Sequence, residues 1–261
     1  MDKTLPNINP SAETARITSF IKTVLEKQGF KNVVIGLSAG IDSTVGFSLV
    51  GKSIAPQNIF IAHLYYFQSQ INILKPLLQQ VNIPQKNIYN ISIKKSVDEL
   101  KKTMGLTENS KDYRLRLGNI MARVRMITLY DLAKKHNGLV CGTENKSEFY
   151  LGYFTRFGDE AADFEPIRHL YKTQVCQLAS YLNLPKKVIT SPPSAGLWIG
   201  QTDETDFGFS YKEAGSVLYL YFDRKKSLSY IISQGFPNAR KIINWTRKNS
   251  FKHHLPYAID A

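Results

Sequence analysis

The run Gly36-Leu37-Ser38-Ala39-Gly40-Ile41-Asp42-Ser43-Thr44 gathers small and hydrogen-bonding residues where an anion could sit. It follows the apolar Val33-Val34-Ile35 and leads into an amphipathic stretch, an order that predicts strand, tight loop and helix N-terminus. Such a loop directs backbone N–H groups and the positive end of a helix dipole at one point, which suits a phosphate. Ser38, Ser43 and Thr44 add hydroxyl donors. Asp42 adds a negative charge that repels phosphate unless a cation lies between them, so loop and carboxylate together point to a magnesium-bound polyphosphate. Taken alone, an ordinary strand-to-helix turn explains the run equally well. No Lys stands at the helix start, which separates the run from the Gly-x-x-x-x-Gly-Lys-Ser/Thr nucleotide loop.

A second group spans Gly142 to Asp163 and is too rich in glycine and charge for a continuous core element. Thr143, Glu144, Lys146, Glu148, Arg156, Asp159 and Asp163 fall within it, directly after the apolar Leu139-Val140-Cys141. Long polar loops in compact domains are often functional. Glu148 can complete the metal site that Asp42 begins. By itself this stretch also fits a surface loop with ordinary ion pairs.

The elements that must position these groups follow from hydrophobic periodicity. Asn9 and Pro10 read as N-cap and first helical residue, with Ile17, Phe20, Ile21, Val24 and Leu25 at helical spacing and Gly29 as the stop. Strands are expected over residues 32–37, 58–65, 88–93 and 139–141. Helices are expected over residues 41–52, around Leu74 to Val81, along Val97, Leu100 and Met104, and from Asp112 to His136. In the last of these Leu117, Ile120, Met121, Val124 and Thr128 should face inward. Strands alternating with helices, without hairpin turns, imply a doubly wound α/β fold: a parallel sheet with helices on both faces. Ligands bind such sheets at the carboxyl ends of strands, near a topological switch point. After Pro185 the strand signal fades into a helical and irregular extension, with Pro237 as a helix start.

A chain of 261 residues with 43% hydrophobic content can bury a sizeable core. No secretory leader and no apolar run long enough to span a membrane is visible. The two cysteines, Cys141 and Cys176, sit in apolar or helical patterns, which favours a reducing cytoplasm over a disulfide or zinc site. The formal charge of +13 suits a polyanionic partner, whether nucleotide, dinucleotide or nucleic acid. His63, His136, His169, His253 and His254 lack metal-ligand company.

The loop at Ser38 resembles the Ser-Gly-Gly-x-Asp-Ser pyrophosphate loop of the ATP pyrophosphatases. With Gly142-Thr143-x-x-x-x-Glu148, Gly152-x-x-Thr155-Arg156-x-Gly158-Asp159 and Asp163, the chain is similar to the NAD synthetases, in particular the short, ammonia-dependent bacterial form. Gly118-Asn119, Ala122-Arg123, Arg125-Met126, Lys172, Pro193-Ser194-Ala195 and Asp203-Glu204 extend the resemblance from the first helix to about Pro256.

This resemblance implies a Rossmann-like ATP pyrophosphatase fold and a C–N bond-forming ligase. Such an enzyme uses ATP to convert deamido-NAD and ammonia to NAD, AMP and pyrophosphate through an acyl adenylate. It implies one domain over residues 1–261, with a core to about 185 and an appendage from about 186, and no glutaminase domain. Mg2+ would be held by Asp42 and Glu148. ATP would be held by Gly36, Leu37, Ser38, Ala39, Gly40, Ile41, Asp42, Ser43, Thr143, Lys172 and Ser194. Deamido-NAD would be held by Arg123, Arg156, Asp163 and Lys252. Asp42, Glu148 and Lys172 are the expected catalytic residues. A cytoplasmic homodimer follows from the same likeness, without membrane or nucleic-acid partners. Two competing readings are an ATP pyrophosphatase that adenylates tRNA and a non-catalytic nucleotide-binding relative.

The departures from the family pattern are specific. Ala39 stands where relatives have Gly. Relatives have a Pro and then an acidic helix start where this chain has His63-Leu64-Tyr65-Tyr66-Phe67-Gln68. Arg156 is usually Lys, and Phe251 stands before Lys252 where His is common. Lys212-Glu213-Ala214-Gly215 replaces a more acidic stretch.

Overall fold

The computed structural model describes residues 4–254. Four strands form one parallel sheet in the order β3-β2-β1-β4. They are β1 (Asn32–Gly36), β2 (Ile59–Tyr65), β3 (Ile88–Ser92) and β4 (Gly138–Cys141). The apolar runs read as strands because both faces are covered: Val33 and Ile35 point into one core, and Val34 between them into the other. β2 and β4 alternate in the same way, with Ile59 and Ile61 opposite Phe60, and Leu139 and Cys141 opposite Val140.

The first core is made with α1 (Pro10–Gln28), α2 (Ile41–Ser53), α3 (Ile71–Gln80), α7 (Lys172–Tyr181) and α8 (Lys186–Thr190). The second is made with α4 (Lys94–Thr103) and α5 (Tyr113–Lys135). Chain order therefore runs outward from β1 to β3 and then returns, through α4 and α5, to place β4 on the other side of β1. The loops after β1 and β4 consequently open at the switch point between them.

The local signals account for several boundaries. Asn9 accepts the Ala12 N–H and caps α1, and Gly29 ends it in the left-handed region at φ 72°. Asp112 and His136 flank α5. Two expectations need correction. α2 is not amphipathic: nearly every position from Ile41 to Val50 is buried, because α1 and α7 cover the side turned away from the sheet. The face expected on α4 is largely solvent-exposed, with Leu100 at 43% and Met104 at 59%, because α4 packs on α5 and only its Val97 reaches the core.

Among the described residues no strand follows β4; a single bridge pairs Cys141 with Phe164. The C-terminal helices α9 (Asp203–Phe207), α10 (Tyr211–Leu218), α11 (Leu228–Ser233) and α12 (Ala239–Asn249) build a third apolar cluster. Leu151 and Tyr171 from the middle of the chain complete it. Asp223 fixes this cluster to the rest: it accepts from Lys146 at 2.7 Å and from the Tyr171 hydroxyl at 3.1 Å. No described helix is long and apolar enough to cross a membrane.

Candidate functional site

The loop after β1 is shaped by its own hydroxyls. Ser43 Oγ accepts the Ser38 N–H at 3.2 Å and donates to the Gly40 carbonyl at 3.1 Å, while Thr44 Oγ1 donates to that carbonyl at 2.7 Å. Gly40 is the N-cap of α2 and has no side chain to bond the first-turn N–H groups. Those donors are left for a ligand at the positive end of a buried helix. Ala39 sits at φ 71°, a conformation that Gly adopts freely and Ala does not.

His63 braces the loop from behind. It is buried, its Nδ1 donates to the Leu37 carbonyl at 2.7 Å, and its Nε2 accepts the Gln70 N–H at 3.0 Å. The unusual segment after β2 is thus bonded to the phosphate-type loop through this ring. Its sequence gave no sign of that role.

Asp42 in the first turn of α2, Glu148 in α6 (Lys146–Leu151) and Lys172 at the start of α7 meet at one point. Lys172 Nζ donates to Asp42 Oδ2 at 2.5 Å and to Glu148 Oε1 at 3.2 Å. Lys172 is 4% exposed. Burial alone would lower its ammonium, but Asp42 and Glu148 outweigh it and hold the group charged. Burial pushes the Glu148 carboxyl upward against the pull of Lys172.

Asn145 organises this meeting. Its Oδ1 accepts the N–H groups of Ser147 and Glu148, its Nδ2 donates to Asp42 Oδ1 at 3.0 Å, and its backbone N–H donates to Glu148 Oε2 at 3.4 Å. The signal was present in the chain: Asn three residues before Glu is a capping box. Asp203 is a further member that charge spacing alone did not single out. It takes the Tyr211 hydroxyl at 2.9 Å and the Ala195 N–H at 3.0 Å. The Tyr211 ring lies 5.2 Å from Lys172 Nζ.

The remaining expected residues sit around this centre without joining it. Thr143 packs its methyl on Gly46 of α2, where a Cβ would approach to 3.1 Å. Ser194 is exposed and its Oγ accepts the Gly196 N–H. Leu197, further along, packs on Gly118, where an added Cβ would come within 2.7 Å of its Cδ1 and make the leucine shift. Arg123 and Arg125 do face different ways. Arg123 donates to the Arg156 carbonyl at 3.2 Å, and Arg125 Nε donates to the Leu64 carbonyl at 3.1 Å. Arg156 donates to the His254 carbonyl. Lys252 Nζ donates to the Gly152 and Phe154 carbonyls at 2.7 and 2.9 Å. Asp163 Oδ2 accepts the Val140 N–H at 2.7 Å.

Two carboxylates converging on one cationic point also suit a divalent ion. Mg2+ is commonly held by one or two carboxylates together with substrate phosphates. Among the described residues no group of three or more His, Cys, Asp or Glu is arranged for a metal, so water or ligand oxygens would have to complete the coordination of any ion here.

Comparison with known proteins adds to this geometry. The family model described as NAD synthase matches residues 13–256. An NH3-dependent NAD+ synthetase from Fusobacterium nucleatum is 36% identical over 246 residues, 92% of each chain. The solved structure of an NMN synthetase from Francisella tularensis superposes with a TM-score of 0.82 at 32% identity, covering 98% of this chain and all of that one. An NH3-dependent NAD synthetase from Campylobacter jejuni superposes at 0.79 with 29% identity, covering 97% of this chain.

Proposed function

The chain belongs to the NAD synthase family, and from that premise we propose that the meeting point of Asp42, Glu148 and Lys172 is where ATP is activated. The protein is a C–N bond-forming ligase that amidates deamido-NAD with ammonia at the expense of ATP. In our reading the nicotinate carboxylate attacks the α-phosphorus and releases pyrophosphate, and ammonia then displaces AMP from the acyl adenylate. Positioning and charge neutralisation carry such a reaction, so no nucleophilic side chain is needed.

The observation that carries this reading is Lys172, a buried cation shared by two carboxylates beside an uncapped helix N-terminus. Asp42 and Glu148 would hold Mg2+, which would neutralise phosphate charge. Lys172 would then turn its ammonium toward the phosphates. Gly36 to Ser43, Thr143 and Ser194 would complete the ATP site. Arg123, Arg156, Asp163 and Lys252 would face the dinucleotide. A cytoplasmic homodimer is part of the same proposal, and the exposed Leu115 and Ile127 on α5 offer it apolar surface.

The test supplies ATP, Mg2+, ammonium and deamido-NAD and measures NAD and AMP. Folded protein that forms no NAD above background would overturn the reading. The likeness to an NMN synthetase, at the higher TM-score of the two structures above, raises a second substrate. The acid precursor of NMN, offered in competition with deamido-NAD, decides it by which amide accumulates.

A further inference from the structure

The strained Ala39 lies between two peptide groups that are tied down. Leu37, on one side, is held by both of its polar groups. Its N–H donates to the Ala62 carbonyl at 3.0 Å, and its carbonyl accepts from His63 Nδ1 at 2.7 Å. On the other side the Gly40 carbonyl takes the Thr44 N–H and the hydroxyls of Ser43 and Thr44. Ser38 and Ala39 must close the gap between these fixed ends. A link that short has few conformations, and the one it adopts puts Ala39 at φ 71°.

Most other described non-glycine residues at positive φ have local reasons to be there. Asn82, Asp112, Asn137 and Asn183 carry short polar side chains that tolerate this region. Phe157, at φ 58°, has its N–H held by Glu160 Oε2 at 2.8 Å. Ala39 has no polar side-chain atom with which to stabilise itself. Strained backbone persists where its surroundings over-determine it, and at Ala39 the surroundings act through Leu37.

His63 is fitted to hold Leu37. The ring is 3% exposed, and its Nε2 accepts the N–H of Gln70, the N-cap residue of α3. A backbone N–H only donates, so Nε2 carries no proton and Nδ1 carries the one given to Leu37. Tautomer and orientation are thereby set from α3, whose Leu74, Leu77 and Leu78 are embedded in the first core.

We propose that His63 is a positioning residue for the reaction: by holding Leu37 it keeps Ala39 in the left-handed form, and so keeps the loop after β1 in the shape that receives ATP. The strained residue and the ring that restrains it act as a pair. The ATP half of this inference rests on the reading above, while the coupling of the two residues does not. Without the ring, the Leu37 carbonyl is free to turn, the link through Ser38 gains conformations, and Ala39 relaxes to the negative φ that L-residues prefer.

A double-mutant cycle over His63→Leu and Ala39→Gly tests the pair, with two readouts. In substrate-free protein, Ala39→Gly should raise the denaturation midpoint in the wild-type background. It should leave the midpoint unmoved in the His63→Leu background, where the strain has already been released. In turnover, His63→Leu alone should raise KM for ATP about tenfold or more, with KM for deamido-NAD and ammonium within about twofold. In the Ala39→Gly background the same change should raise KM for ATP less than about threefold, because glycine takes positive φ unaided. His63→Asn places an amide N–H where Nδ1–H stands and should bring KM for ATP back to within about threefold of the wild type. His63→Gln, which puts an amide at the Nε2 position and none at Nδ1, stands in if His63→Leu does not fold. Equal effects of the His63 change in both backgrounds overturn the proposal. Matched rises in all three KM values also overturn it, because they mark a structural role. Failure of the wild type to form any amide instead sinks the functional reading, and the midpoint cycle still decides the coupling.

Discussion

The two charged regions flanking the Gly142–Asp163 loop are built on opposite plans. On the side proposed for ATP, Asp42, Glu148 and Lys172 come from three helices, up to 130 residues apart, and satisfy one another in a buried cluster. On the expected dinucleotide side, Arg123, Arg156 and Lys252 donate to backbone carbonyls, and Asp163 accepts a backbone N–H. Arg123 is exposed and can exchange its carbonyl bond for a ligand at small cost, while Arg156 and Lys252 are half-buried. A buried lysine between two carboxylates cannot leave until something else neutralises them. The first region is therefore already organised without a ligand, whereas the exposed Arg123 is free to re-pair.

Removing one member of the buried cluster tests that contrast most severely. Lys172→Met leaves two carboxylates facing each other without a cation, and should destabilise the protein by about 3–5 kcal/mol as well as abolish turnover. Chemical denaturation checks it. A loss below about 1 kcal/mol would mean that the cluster is open to water and no different from the arginine side. Asp42→Asn is milder for folding, since Asn can still accept from Lys172. It should lower kcat by about 100-fold or more if the carboxylate serves a charged transition state. Near-normal kcat would remove Asp42 from the ATP site.

How much of this was legible in the chain differs between the regions for a physical reason. Strand periodicity, the Asn9 and Gly29 caps and the long α5 are local signals, and the folded chain uses them as written. Asp42, Glu148 and Lys172 were legible as types in motifs, but their mutual bonding depends on strand order, which no local pattern encodes. Asn145 was encoded locally as a capping box, yet its bond to Asp42 was not, because the partner lies 103 residues away. α2 misled the reading because its polar Ser43, Thr44 and Ser48 look solvent-facing, whereas α1 and α7 bury them. His63 was silent for the same reason: a lone His carries no local trace of the two backbone groups it will bridge.

The arginine side invites a smaller perturbation. Arg123 is exposed and makes one bond, to the Arg156 carbonyl, so Arg123→Ala should leave stability within about 0.5 kcal/mol. KM for deamido-NAD should rise about tenfold, the scale of one charge-assisted hydrogen bond, with KM for ATP unchanged. A matched rise in both constants would show that the two regions act as one site and dissolve the contrast drawn above.

The finest test lies inside the organised region. Ala39 holds φ 71° in the loop beside Asp42, where its Cβ is strained and Gly would not be. Glycine also loses more freedom on folding, which offsets part of the relief. Ala39→Gly should therefore gain only about 0.5–1 kcal/mol, read from the denaturation midpoint at constant slope. The two contributions separate in turnover. If the strain serves only to be tolerated, kcat and KM for ATP stay put while stability rises. If the Cβ holds the loop's N–H groups in their ligand-ready orientation, the more stable variant binds ATP less well, because a glycine loop samples other conformations before the phosphates arrive. A gain in stability with a higher KM for ATP would thus mark Ala39 as part of the preorganisation that distinguishes this region from the arginine side.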